Sequence, residues 1–224
     1  MRSQQVVRAL AAIRPDLRMH VRTTAPEWIF HNTITPIHYS HQAIDTGIVQ
    51  TDSLHMELAE TLAACRTIYA NPQKIIDQEL AFIKANEIDL VVGDTPPLAF
   101  EIAAQAGIPS VSITNFTWDV IYRAYIEPYP EFAPLIETMK QCYGKATYAL
   151  TLPYPCDTTM FPRQRPIPWI TRTPELTKER ARQAFALPET ATIVLLSFGG
   201  LGLDRLPWNQ LAQQQDYFFV MTGT

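Results

Sequence analysis

Residues 88–122 constrain the fold more than any other part of the sequence, because they predict a complete strand–helix–strand unit. Leu90–Val92 is short and continuously apolar, which is typical of a strand in a parallel sheet covered on both faces. Thr95, followed by two prolines, can cap a helix, and Gly107 is expected to end it. Ile108–Ile113 is the second apolar strand. The unit predicts an α/β fold, a Rossmann-like parallel sheet flanked by helices.

Polar residues follow both predicted strands. Asp94 comes directly after the first strand, and Asn115, Trp118 and Asp119 follow the second. Ligands of open parallel sheets bind outside the carboxyl ends of the strands, so these residues are candidate site residues. Asp94 can accept hydrogen bonds from sugar hydroxyls or act as a base, or it can accept N–H groups of its own loop. The aromatic, amide and carboxylate cluster suits carbohydrate recognition or local packing, and both alternatives stay open.

Composition excludes several classes of function. The net charge is −4 and no lysine- or arginine-rich run is present, so no nucleic-acid partner is expected. No apolar segment reaches the ~18 residues of a membrane span, although peripheral membrane contact stays open. The three cysteines are far apart in sequence, which favours a reducing, cytoplasmic location. No metal-ligand spacing such as CxxC or HExxH occurs, so no metal site is predicted.

The sequence divides into three predicted regions. Residues 1–154 would form a first Rossmann-like domain, the proline-rich residues 155–176 a linker, and residues 177–224 the beginning of a second domain. In the last region, the apolar strand Thr192–Ser197 runs into a glycine-rich loop with Gly199, Gly200 and Gly202. Such a loop can bind a phosphate through its backbone N–H groups, or it can be a tight turn without a ligand.

Further elements are predicted from apolar spacing and capping residues. A helix is expected over Ser3–Ile13, followed by a strand at Leu17–Val21. Asp52-Ser53 is the expected cap of a long helix through Tyr69, and a further helix should run from Asn71-Pro72 to about Asn86. The chain opens on a helix and closes on a strand, Tyr217–Met221, so we expect it to be a fragment; the alternative is a terminal edge strand.

Two stretches resemble known proteins. The run GDTPPLAFEIAAQAGIPSVSITNFTWDVIY and the later LLSFGGLG are similar to MurG-like glycosyltransferases of the two-Rossmann-domain (GT-B) type. They also resemble the glycosyltransferase-like region that precedes the kinase domain in plant L-arabinokinases. The resemblance implies an acceptor-side domain up to about Tyr154 and a donor-side domain starting near Thr192. The GHG-type loop of such enzymes has no counterpart in this sequence.

The same resemblance implies roles for the candidate residues. Asp94 and Asp119 are the candidate catalytic carboxylates, and Asn115 and Trp118 the candidate substrate-binding residues, all lining the cleft. The glycine-rich loop would approach the donor diphosphate through Gly199, Gly200 and Gly202. The donor is a nucleotide sugar and the acceptor a small molecule or glycan, and no separate cofactor is needed.

Three hypotheses for function follow. The leading one is a glycosyltransferase fragment that transfers a sugar from a nucleotide sugar to an acceptor hydroxyl, inactive by itself because the donor side is incomplete. The alternative is a non-catalytic module that senses a sugar or nucleotide and is attached to a sugar kinase. The third is a Rossmann-like domain that binds only a partner protein.

Overall fold

A computed structural model describes residues 2–30, 36–197 and 206–222 of the 224-residue chain. The chain has a mixed α/β fold in which parallel sheets are flanked by helices, as in Rossmann-like proteins. It divides into two compact units. The first comprises Met1–Gly47 and Ala59–Thr171, and the second Ile48–Leu58 and Arg172–Thr224.

Strands and helices alternate through most of the chain. The elements up to residue 171 are α1 (Arg2–Ile13), β1 (Met19–Thr23), a short 3₁₀ helix (Glu27–Phe30), β2 (Ile37–His41), α2 (Leu58–Tyr69), α3 (Pro72–Ala85), β3 (Val91–Gly93), α4 (Pro97–Ala106), β4 (Ser110–Thr114), α5 (Trp118–Arg123), α6 (Phe132–Tyr143), β5 (Tyr148–Thr151) and β6 (Gln164–Pro166). Those beyond it are α7 (Lys178–Ala184), β7 (Thr192–Ser197), α8 (Trp208–Leu211) and β8 (Tyr217–Thr222).

The larger sheet has the strand order β3-β4-β5-β6, and its neighbouring strands are parallel. Gly93 at the end of β3 is opposite Ser112, and Thr114 at the end of β4 is opposite Thr151. The carboxyl ends of β3 and β4 therefore meet at one edge of the sheet, as the strand–helix–strand pattern predicts. β1 and β2 form a separate two-stranded parallel sheet, and so do β7 and β8.

The proline-rich segment contributes one strand to the larger sheet. β6 lies at the outer edge and pairs with β5, with Pro166 opposite Thr151. Proline has no N–H to donate, so an edge position is where a strand that contains it can be accommodated. Ile167 N–H then donates to the Thr151 carbonyl at 2.8 Å, which extends the pairing by one residue.

The core of the first unit joins four helices. Ile68 of α2, Ile76 of α3, Leu98 and Ile102 of α4, and Cys142 of α6 form one buried apolar cluster. Helix α4 lies at its centre, because its sequence PLAFEIAAQA is apolar on nearly every side and is buried accordingly. Burial of this kind contributes roughly 1.5–3 kcal/mol for each large apolar side chain, so α4 is held by packing rather than by intrinsic helix propensity.

Several predicted elements are confirmed. Helix α1 matches the predicted Ser3–Ile13 helix, and α3 begins at Pro72 as the Asn71-Pro72 pair predicts. Gly107 ends α4 with a φ of 70° in the left-handed region, where glycine carries no steric penalty. The predicted strands over Thr192–Ser197 and Tyr217–Met221 are present as β7 and β8.

Two capping predictions are wrong. Asp52-Ser53 does not cap α2, which begins at Leu58, because the Asp52 carboxylate instead accepts the N–H groups of Leu54 and His55 at 2.7 and 2.9 Å in an Asx-type turn. Thr95 does not cap α4 either. Pro96 occupies the N-cap position, and the Thr95 hydroxyl donates to the Asp94 carbonyl at 2.6 Å.

The end of β3 makes a testable prediction about packing. A Cβ added to Gly93 would lie 2.9 Å from Cζ of Phe100, which is fully buried and packs against Tyr143 and Phe161. Gly93→Ala should therefore lower the free energy of unfolding by about 1–3 kcal/mol, the usual effect of overpacking. Equilibrium urea unfolding followed by circular dichroism measures the change.

Gly144→Ala is the matched control for that substitution. Gly144 has a φ of −61°, and its nearest neighbour to an added Cβ is a carbonyl oxygen at 3.4 Å, an ordinary contact. The free energy of unfolding of the Gly144→Ala variant should stay the same or rise by up to about 1 kcal/mol, because alanine restricts the unfolded chain. Equal effects of the two substitutions would contradict the close approach of Gly93 and Phe100.

Candidate functional site

The structure brings Asp94 and Asn115 together through a third residue, Arg2. Arg2 lies in the first turn of α1, beside the carboxyl ends of β3 and β4. Its Nε donates to Asp94 Oδ1 at 3.1 Å, its Nη2 contacts the same oxygen, and its Nη1 donates to Asn115 Oδ1 at 3.0 Å. One guanidinium thus bridges the polar residues that follow two neighbouring strands.

The second carboxylate oxygen of Asp94 is engaged as well. The Ser3 hydroxyl donates to Asp94 Oδ2 at 2.8 Å. The carboxylate faces the first turn of α1, which contains no acidic residue of its own, and a negative charge there is favoured by the helix dipole. The side chain of Asp94 is 31% exposed and that of Arg2 20%, so the pair remains accessible to a ligand.

Arg2 is a candidate site residue that the strand-end pattern does not identify. A signal for it exists in the sequence, because a cation in the first turn of a helix opposes the helix dipole and needs a compensating anion. The predicted Ser3–Ile13 helix places Arg2 at such an end. The local pattern does not indicate that the anion is Asp94, a residue 92 positions away.

Trp118 is held by a carboxylate that the sequence pattern also does not single out. Its indole Nε1 donates to Asp45 Oδ2 at 2.6 Å. The indole stacks on the Tyr122 ring at 5.6 Å between centroids and meets the edge of Phe116 at 5.3 Å. Burial raises the pKa of Asp45 to about 7, against the hydrogen bonds from Trp118 and the Thr46 N–H, which lower it.

Asp119 lies inside the fold. Its side chain has no solvent exposure, and neither carboxylate oxygen has a hydrogen-bond partner among the described residues. Arg123, one turn further along α5, approaches Oδ2 at 3.6 Å. Burial raises the pKa of Asp119, and the nearby Thr117 side chain and the positive charge of Arg123 oppose that shift. In this conformation the carboxylate of Asp119 is closed to a ligand, unlike that of Asp94.

Tyr143 connects the two loops that follow β3 and β4. Its buried hydroxyl accepts the Trp118 N–H at 3.2 Å and donates to the Thr95 carbonyl at 2.7 Å. Thr95 has a φ of 74°, a left-handed conformation that is unusual for a β-branched residue. Backbone strain of this kind concentrates at binding sites, where surrounding contacts hold it in place. The Tyr143 hydroxyl is such a contact.

The loop after β4 is further fixed by its own backbone. Thr114 Oγ1 accepts the Phe116 N–H at 3.1 Å and also contacts the Phe116 carbonyl. The Asn115 carbonyl accepts the N–H of Cys156 at 2.8 Å. The backbone around Asn115 is therefore held by hydrogen bonds, and the Asn115 side-chain oxygen accepts its hydrogen bond from Arg2.

The remaining candidates lie elsewhere. Gly199, Gly200 and Gly202 fall outside the described residues, so their predicted role with a phosphate stays a prediction. Within the described ranges, no three His, Cys, Asp or Glu side chains are grouped closely enough to hold a metal ion. Among the helices of the same ranges, none has the length and apolar content needed to cross a membrane.

Comparison with known proteins finds a partial match to a plant enzyme. No protein-family profile matches the chain. The chain is 30% identical over 200 residues to an L-arabinokinase from Arabidopsis thaliana. The matched region covers 88% of this chain but 19% of the plant protein, so the chain spans about a fifth of that relative's length. The chain is therefore an α/β protein related to one region of a plant arabinokinase.

The buried carboxylate of Asp119 makes a prediction about stability and pH. A carboxyl whose pKa is raised in the folded state binds its proton more tightly there than in the unfolded chain. Its contribution to stability therefore falls as the pH rises from about 4 towards the raised pKa. Asp119→Asn removes this dependence and should raise the free energy of unfolding at pH 7 by about 1 kcal/mol.

Urea unfolding of both proteins at pH 4.5, 6 and 7.5 measures the difference. Asp77→Asn is the matched control, because Asp77 is exposed on α3 and its carboxylate accepts a hydrogen bond from Gln73. The gain from Asp119→Asn should grow with pH, whereas Asp77→Asn should change little at any pH. A large loss of stability in Asp119→Asn at pH 7.5 would show that the pair with Arg123 outweighs the cost of burial.

Proposed function

We propose that this chain is a non-catalytic, glycosyltransferase-like sugar-binding module that works together with a sugar kinase. The observation that carries the proposal is the bridged pair of Asp94 and Asn115 at neighbouring strand ends. A carboxylate, an amide and a guanidinium in one partly exposed group offer both acceptors and donors. Adjacent hydroxyls of a sugar require that combination.

The surroundings of the two candidate catalytic carboxylates favour binding over catalysis. A general base needs a carboxylate oxygen within reach of the proton that it removes. Both oxygens of Asp94 already accept hydrogen bonds, one from Arg2 and the other from Ser3, so neither is free to take up a proton without losing a contact. Asp119 has no exposed surface. Asp94 still has free lone pairs, so it can accept a sugar hydroxyl without removing its proton.

The relative supports the kinase association and suggests the sugar. The plant protein that this chain resembles is named an L-arabinokinase, and the matched region is a minor part of it. A sugar-binding module next to a kinase domain could sense the free sugar or a nucleotide sugar made from it. L-arabinose is accordingly the first ligand to test, followed by UDP-linked pentoses and hexoses.

Glycosyl transfer is the second candidate function. It is supported by the MurG-like sequence resemblance and by β7, a strand of a parallel pair that ends directly before the segment with Gly199, Gly200 and Gly202. In that scheme a nucleotide sugar is the donor, and the backbone N–H groups of the glycines stabilise the leaving diphosphate. Asp94, released from Arg2, would remove the proton of the acceptor hydroxyl.

Calorimetric titration of the 224-residue chain with L-arabinose, D-galactose, UDP-arabinose and UDP-glucose tests the proposal. At least one of these ligands should bind, and Asp94→Asn should weaken its affinity about 10- to 100-fold, the effect of losing a hydrogen bond to a charged group. Asn115→Ala should weaken binding in the same direction. The control Asp77→Asn lies on an exposed part of α3 and should leave the affinity unchanged.

The same protein also distinguishes the two candidate functions. Release of UDP from UDP-arabinose or UDP-glucose, measured with a coupled assay, should be absent for a non-catalytic module. Turnover that Asp94→Asn abolishes would favour glycosyl transfer instead. If none of the sugars or nucleotide sugars binds, or if Asp94→Asn and Asn115→Ala bind as the parent does, the sugar-binding proposal is wrong.

A further inference from the structure

Three successive residues of the segment Asp45–Gly47 contact helix α5. Asp45 Oδ2 accepts the Trp118 indole N–H at 2.6 Å, and the Thr46 carbonyl accepts the Tyr122 hydroxyl at 3.1 Å. Gly47 lies so close to the indole that an added Cβ would be 3.3 Å from the ring. The segment therefore touches the side chains at two positions of α5, and Asp45 supplies the polar contact to the indole.

The two oxygens of Asp45 have separate partners. Oδ1 accepts the N–H of Thr46 at 2.8 Å, while Oδ2 accepts the indole N–H of Trp118. Trp118 is also the first residue of α5, three positions after Asn115 and on the same loop. Trp118 therefore connects the Asp45–Gly47 segment to the start of α5, close in sequence to Asn115.

Within the described part of the chain, the buried titratable side chains that interact electrostatically with Asp45 are uncharged at neutral pH. They come from three helices, and each influences Asp45 or is influenced by it electrostatically: Cys65 and Tyr69 of α2, Tyr122 of α5 and Tyr143 of α6. Burial raises the pKa of all four groups, so none of them ionises between pH 5 and 8. The buried hydroxyl of Tyr69 has no hydrogen-bond partner among the described residues.

We propose that Asp45 is a positioning residue that fixes the Trp118 indole, and that their hydrogen bond is a proton-sensitive latch between the Asp45–Gly47 segment and α5. The proposal does not depend on the sugar-binding function. The ionised carboxylate accepts the indole N–H in a charge-assisted bond, which is about twice as strong as a neutral one. Protonation places a hydrogen on one oxygen, removes the charge and weakens the bond.

The latch should switch close to neutral pH. Burial raises the pKa of Asp45 to about 7, so the bond is charge-assisted above that pH and neutral below it. Linkage makes the coupling reciprocal, because a partner that favours the ionised form lowers the pKa of the carboxyl. Loss of the indole N–H in Trp118→Phe should therefore raise the pKa of Asp45 further.

Nuclear magnetic resonance of the ¹⁵N-labelled chain between pH 5.5 and 8.5 tests the latch with two reporters. One is the indole N–H of Trp118, assigned by its absence in Trp118→Phe, and the other is the backbone N–H of Thr46. In the parent chain both resonances should titrate with a common midpoint near 7. In Asp45→Asn, an isosteric change that keeps an acceptor, both inflections should disappear while the spectrum stays that of a folded protein.

Trp118→Phe gives the independent check. The Thr46 resonance should still titrate in this variant, with a midpoint higher by about 0.5–1 pH unit, the equivalent of one hydrogen bond. The proposal is overturned if the indole resonance does not titrate in the parent chain, or if Asp45→Asn keeps the inflection, which would assign it to a histidine. It is also overturned if Trp118→Phe leaves the Thr46 midpoint unchanged.

Discussion

The guanidinium of Arg2 is the contact on which the arrangement of the candidate site depends. It joins the first turn of α1 to Asp94 after β3 and to Asn115 after β4, across separations of 92 and 113 residues. Without it, a carboxylate and an amide would lie at neighbouring strand ends with no common partner. With it, a positive charge, a negative charge and a neutral amide form one hydrogen-bonded group.

Much of the fold around this contact is predictable from sequence, because it is encoded locally. The apolar run before Asp94, the left-handed Gly107 and the second apolar strand define β3, α4 and β4 within one short stretch. The position of Asp94 and Asn115 at one edge follows from the parallel pairing of those strands. The capping role assigned to Thr95 was wrong because its backbone adopts a positive φ and its hydroxyl contacts the preceding carbonyl.

The partners of the candidate residues could not be predicted in the same way. Arg2, Asp45 and Tyr143 are each remote in sequence from the groups that they contact, and no local periodicity specifies such a pairing. Three aspartates with the same side chain consequently have different surroundings. Asp94 is paired with Arg2 and accessible. The carboxylate of Asp45, whose pKa is about 7, accepts an indole N–H, and Asp119 is buried beside Arg123. The proposed division between binding, positioning and structural roles follows from these environments.

A double-mutant cycle between Arg2 and Asp94 tests most directly whether their contact holds the candidate site together. The free energies of unfolding of the parent chain, Arg2→Ala, Asp94→Ala and the double variant, measured in urea at low salt, give the coupling between the two side chains. We expect a coupling free energy of at least about 1 kcal/mol, because the pair is partly buried and makes more than one hydrogen bond. Additivity of the two substitutions to within about 0.3 kcal/mol would contradict it.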